Sequence, residues 1–168
     1  MLQSAWAPVA AMLLLTAATV SGVNLSGTWK MDPSRSESAH QAVPIGPVVL
    51  IIKQTATEIT IETRRTEAGK TAVEIELLKY KLNGAETTIP LKGKEPVTAK
   101  AHWEGDKLIT ETERSIQDAS VTTRNVHTLN RTGKELTVEK TLTVQHGYQS
   151  QGAKSYGTGT DVFVKTTE

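Results

Sequence analysis

Three consecutive hairpins in the second half of the chain constrain its fold more than any other feature. Apolar and polar residues alternate along residues 97–103, 108–116, 121–129 and 136–144, with turn residues at Gly105-Asp106, Asp118-Ala119 and Arg131-Thr132-Gly133-Lys134. The first turn sets Trp103 opposite Leu108, Ala101 opposite Thr110, Ala99 opposite Thr112 and Val97 opposite Arg114. The second sets Ile116 opposite Val121, Arg114 opposite Thr123, Thr112 opposite Asn125, Thr110 opposite His127 and Leu108 opposite Leu129. The third sets Leu129 opposite Leu136, His127 opposite Val138, Asn125 opposite Lys140, Thr123 opposite Leu142 and Val121 opposite Val144. A slip of one residue would turn every side chain to the other face, so apolar partners meeting in all three hairpins specify an antiparallel meander.

The first half fits the same plan. Gly27-Thr28-Trp29 opens the first strand, where Gly27 lets another backbone approach closely and the Trp29 indole plugs the sheet that it helps to close. Asp32-Pro33 is a helix-start signal followed by one or two polar turns, and Pro44, Gly46 and Pro47 make a loop or lid. Val48 to Ile52 is a continuous apolar strand and Glu58 to Thr63 alternates cleanly. Glu67-Ala68-Gly69 suits a hairpin, and Leu77-Leu78 reads as a β-bulge because Val73 and Ile75 share one face while Tyr80 and Leu82 share the other. Asn83-Gly84 is the strongest two-residue turn, and Pro90 marks the strand after it as an edge or corner. Nine or ten short strands with almost no helix make the chain all-β: an antiparallel up-and-down β-barrel, with a β-sandwich as the alternative.

Length and charge bound the rest. A chain of 168 residues fits a single domain. With 19 basic against 18 acidic residues, and no stretch where basic residues alternate with stackable aromatics, nucleic acid is not an expected partner. Residues 1–22 carry no charged side chain and centre on an apolar run ending in Ser21 and Gly22, the outline of a secretory signal peptide whose n-region lacks Lys and Arg. The competing reading is a membrane anchor, for which the run is short. The expected division is thus a signal peptide over 1–22 and a barrel domain over 23–168, periplasmic or secreted, with no membrane span after cleavage. Cysteine is absent, which removes disulfides, thiolate metal sites and a cysteine nucleophile.

The signal-like segment, the strand Ser26-Gly27-Thr28-Trp29-Lys30, the Asp32-Pro33-Ser34 that follows, and hairpins reading Trp103-Glu104-Gly105-Asp106-Lys107-Leu108 and Thr132-Gly133-Lys134-Glu135-Leu136 together resemble small exported bacterial lipocalin-like domains of the calycin type. The resemblance implies a barrel whose cavity takes a small apolar or amphipathic ligand.

The candidate chemistry lies on the inner face. Apolar side chains occupy both ends of it, and between them stand Thr110, Thr112, Arg114, Thr123, Asn125, His127 and Lys140. A barrel filled only for stability has no reason to bury so many polar groups, since an unpaired buried charge costs several kcal/mol. Arg114, Asn125, His127, Lys140, Thr112 and Trp103 are therefore the expected ligand-binding residues, with two cations poised for an anionic or polar head group. The four histidines lack paired ligand spacing and no hydrolase, nucleotide or zinc-protease motif occurs, so no catalytic residue, metal or cofactor is assigned and an enzyme is the less favoured class. The expected function is small-molecule binding or carriage, the alternative a structural or protein-interaction module of the cell envelope with a filled barrel.

Overall fold

A computed structural model of the protein describes residues 22–41, 45–67, 71–147 and 154–166. Residues 1–21 of the signal-like segment and the turn at Ala68-Gly69 lie outside the described residues. Ten strands follow one another: β1 (Gly27–Met31), β2 (Ile45–Gln54), β3 (Glu58–Glu67), β4 (Val73–Lys81), β5 (Thr87–Leu91), β6 (Lys94–Glu104), β7 (Lys107–Ile116), β8 (Ala119–Leu129), β9 (Glu135–His146) and β10 (Lys154–Thr166). They form one antiparallel sheet in the order β4-β3-β2-β1-β10-β9-β8-β7-β6-β5, curled into a nearly closed barrel. Strand β1 sits between β2 and β10 and so joins the two ends of the chain's meander.

The turns after β2, β6 and β8 gather at one end of the barrel with Leu25, and that end is packed solid. Trp29, Leu25, Ile52, Ile59, Leu108 and Leu136 are fully or almost fully buried there. Trp29 donates its indole N–H to the Leu25 carbonyl at 2.9 Å, which satisfies the one polar atom it carries into the core. Lys165, its cross-strand partner, lays its ammonium 5.1 Å from the ring centroid. Gly27 takes φ +144, and a Cβ on it would come within 2.6 Å of Lys165 Cε. The close approach at Gly27 is thus made by a side chain, where a backbone was expected.

Between β1 and β2 the chain makes two short 3-10 helices, Pro33–Arg35 and Glu37–His40. Asp32 caps the first by accepting from Ser34 N at 3.0 Å, and Pro33 occupies its start. Asp32 also receives bonds from the Ser34 hydroxyl and Arg35, and these hold its carboxyl below the usual range. The segment is fastened to β10, where Ser36 Oγ accepts from Val162 N at 2.9 Å.

Three expectations are corrected. The β7–β8 hairpin is displaced by two residues: Gln117, at φ 54, and Asp118 form the turn, so Ile116 faces Ala119, Arg114 faces Val121, Thr112 faces Thr123, Thr110 faces Asn125 and Leu108 faces His127. A shift of two keeps every side chain on its own face. Strand β4 has no bulge; its pairing with β3 is continuous from Glu58↔Lys81 to Thr66↔Val73. Leu78 and Tyr80 therefore point inward with Glu76, while Val73, Ile75 and Leu77 stand outside, 54 %, 60 % and 52 % exposed. Asn83-Gly84 does not close a hairpin, because β4 and β5 are the two edges of the sheet and do not pair. The turn residues act all the same: Asn83 Oδ1 accepts from Ala85 N and Gly84 takes φ 78. The other two late hairpins have the expected registers.

Candidate ligand-binding site

Above the packed end the barrel is hollow, with a cavity of about 360 Å³ open toward the other end. At about 30 Å³ per molecule this is the room of roughly a dozen waters, within the range of small-ligand pockets. Leu50, Ile61, Leu78, Val138 and Phe163 give it apolar walls. Thr112, Arg114, Asn125, His127 and Lys140 all line it, brought together because they occupy inward positions of three neighbouring strands.

Trp103 does not join them. It is half-buried against the core beside the β6–β7 turn and lines a hollow on the outside of the packed end, together with Val23, Gln54 and His102. Its register explains this: Trp103 pairs with Leu108, one inward position below the Ala101–Thr110 pair that reaches the cavity. His102 turns outward and pairs with Glu104 at 2.9 Å, on the face opposite His127.

The two cations have carboxylate partners that lie far away in sequence. Arg114 Nη1 is 3.0 Å from Glu76 Oε1, a bond from β7 to β4 across the gap between the sheet edges. Lys94 pairs with Glu74 over the same gap nearer the open end, and Lys94 holds the Glu74 carboxyl below its ordinary value. Gly84 N donates to Ala101 O at 2.8 Å at the packed end. Lys140 Nζ lies 3.8 Å from Asp161 Oδ2. Asp161, only 5 % exposed, is held by the second 3-10 helix, which gives it the Ser38 N–H at 3.0 Å and the Ser38 hydroxyl at 2.6 Å. The expectation of two unpaired, mutually repelling cations is therefore replaced by two ion pairs. Neither Glu76 nor Asp161 is visible as a site residue from sequence. A bulge at Leu77-Leu78 would turn Glu76 away from the interior, and Asp161 lies on β10, which pairs directly with Lys140's strand in a register that no two-residue turn sets.

On the cavity wall the buried Thr110 Oγ1 is 3.1 Å from His127 Nε2. Burial raises the Tyr80 pKa, so its hydroxyl keeps its proton. His127 is 3 % exposed and desolvation pushes its pKa down to about 4, leaving a neutral imidazole. Among the described residues, three buried side-chain polar atoms have no hydrogen-bond partner: Thr87 Oγ1, Asn125 Oδ1 and His127 Nδ1. The last two belong to cavity-lining residues.

No family model and no curated protein matches the sequence. Solved structures do. A secretory abundant heat soluble protein of Ramazzottius varieornatus superposes with a TM-score of 0.55 at 15 % identity, over 89 % of this chain and 100 % of that one. Fatty-acid-binding protein 1 of Echinococcus granulosus gives 0.51 at 15 % identity, over 84 % and 97 %. A point mutant of the fluorescent protein UnaG gives 0.50 at 18 % identity, over 85 % and 96 %. At such identities the likeness is one of fold, and with its ten-stranded up-and-down barrel the chain has the fold of the calycin-type β-barrels.

Proposed function

We propose that the protein binds a small amphipathic molecule inside the barrel, its tail against Leu50, Ile61, Leu78 and Phe163 and its polar end near Thr112, Asn125, His127, Arg114 and Lys140. The observation that carries this is the cavity, about 360 Å³ of space lined by apolar walls and a cluster of polar side chains. A barrel serving only as a structural module gains from filling that space, because each unfilled volume forfeits packing contacts. One of the three structures with a similar fold offers a parallel, being named for binding fatty acids. Export belongs to the same reading and rests on the uncharged apolar residues 1–22, which would direct a carrier to the periplasm or the exterior.

The test is native mass spectrometry of the purified protein after exposure to a total lipid extract. The reading expects one adduct per protein molecule, lost when Thr123, a cavity-lining residue, is replaced by Trp to fill the space. Adducts that persist in Thr123→Trp would place binding outside the barrel.

A further inference from the structure

The wall of the cavity has a seam. Neighbouring strands are hydrogen-bonded all the way round from β4 to β5, but β4 and β5 are the two edges and do not pair. Among the described residues one backbone hydrogen bond outside the strand ladders crosses the seam, Gly84 N to Ala101 O at the packed end, where the chain itself passes from β4 to β5. Toward the open end the polar links across it are ion pairs. Arg114 on β7 reaches over β6, whose buried residues Val97, Ala99 and Ala101 are small, to bond Glu76 on β4. Nearer the rim Lys94, at the start of β6, pairs with Glu74. The links weaken in that order: a main-chain bond, an ion pair at 25 % and 13 % side-chain exposure, then one at 54 % and 43 %, where solvent screens most of the attraction.

We infer that this seam is the ligand's entrance: β4 parts from the β5–β6 hairpin beginning at the rim, the link at Gly84 acts as the hinge, and the ligand's apolar tail passes sideways into the barrel. This rests on the cavity-binding reading and adds a route to it. Glu76, Leu78 and Tyr80 of β4 line the cavity, so a gap beside β4 opens directly onto it. Opening here breaks no strand ladder, whereas parting any two paired strands strips main-chain groups of their partners. A segment held so lightly opens far more readily than the whole protein unfolds. The other side of the rim is fastened by contrast, since the second 3-10 helix bonds Asp161 of β10 through both the Ser38 N–H and its hydroxyl. Once the tail is inside, Arg114 and Glu76 can meet again and restore the wall.

The experiment locks the seam. The chain has no cysteine, so Glu74→Cys with Lys94→Cys supplies two thiols that a short bismaleimide joins; the same variant capped with N-ethylmaleimide is the unlocked control. Stopped-flow fluorescence follows the entry and exit of N-phenylnaphthylamine, a neutral apolar probe, so that salt acts on the protein alone. The locked protein is expected to bind and release the probe at least about tenfold more slowly than the capped one, with its affinity changed less than about threefold. Raising the salt should speed exchange in the wild type, because it weakens both ion pairs, and leave the locked protein unmoved. Equal rates in the locked and capped proteins overturn the inference and place entry at the open end. If the probe does not bind, or binds Thr123→Trp equally well, the cavity-binding reading fails, and the seam is then judged by hydrogen exchange of the free protein. The β4 amides bonded to β3 should exchange faster than those of β8 and β9 and be slowed by the lock; equal protection overturns the seam as well.

Discussion

Arg114 on β7 and Glu76 on β4 meet at 3.0 Å, so one ion pair links strands on the two sides of the gap between the sheet edges and gives a cavity-lining cation a carboxylate partner. The pair is largely screened from water, at 25 % and 13 % side-chain exposure. Removing one partner leaves a part-buried charge unmatched, which places the effect above that of a surface pair and below that of a fully buried one. Glu76→Gln is expected to lower stability by about 1–3 kcal/mol. A double-mutant cycle with Arg114→Met, read by urea unfolding, should return a coupling of at least about 1 kcal/mol, whereas a coupling near zero would mean that solvent already shields the pair.

The packed end should be the most sensitive part of the core. Trp29→Ala removes a fully buried indole and is expected to cost about 3–5 kcal/mol, and Trp29→Phe about 1–2 kcal/mol through the lost bond to the Leu25 carbonyl and a smaller cavity. Gly27→Ala should also destabilise, because φ +144 is strained for any other residue and the new Cβ meets Lys165 Cε at 2.6 Å. Combining it with Lys165→Ala relieves the clash alone and should recover only part of the loss in thermal unfolding.

Stability should depend on pH through His127. Its pKa in the folded protein is about 4 against 6.5 for the exposed side chain. Between those values the unfolded chain binds a proton that the folded chain excludes, so stability is full above pH 6.5 and is lost as the pH falls toward 4. The loss amounts to at most about 3 kcal/mol. His127→Gln, which keeps an acceptor for Thr110 but does not titrate, should flatten this part of the profile. An unchanged slope would show that the imidazole is already hydrated. The lowered carboxyls of Asp32 and Glu74 also favour the folded state, but their contribution is lost at lower pH, as the folded groups take up protons, and is common to both proteins.

Most of the inner face is legible in the sequence because it is a matter of parity. Turns that contain glycine, Gly105 and Gly133, fix their hairpins, and the two registers agree with the structure. The turn between β7 and β8 contains no glycine, and Gln117 takes a positive φ that its side chain does not advertise. The expected register is consequently displaced, yet by two residues, so Thr112, Arg114, Asn125 and His127 stay on the correct face. What parity cannot supply is contact between distant strands, such as Arg114 on β7 with Glu76 on β4, which is set by how the sheet curls. Asp161 is on the strand next to Lys140, and its place is fixed by the β9–β10 register and by the 3-10 helix carrying Ser38, which no local pattern encodes.

The outward apolar row of β4 gives a further expectation. Val73, Ile75 and Leu77 are more than half exposed on an edge strand, an arrangement that favours association between chains. Replacing all three with Thr should change stability by no more than about 0.5 kcal/mol per site and reduce concentration-dependent association in sedimentation experiments. A large loss of stability would mean that the row is covered in the folded protein.

The most direct test of the account is a crystal structure of the protein grown with a long-chain amphiphile such as dodecanol. The expected result is the alkyl chain among Leu50, Ile61, Leu78 and Phe163, with the polar end toward Thr112, Arg114 and Lys140. A cavity containing only ordered water, or the ligand bound on the outer face of β4 with the interior unchanged, would contradict it.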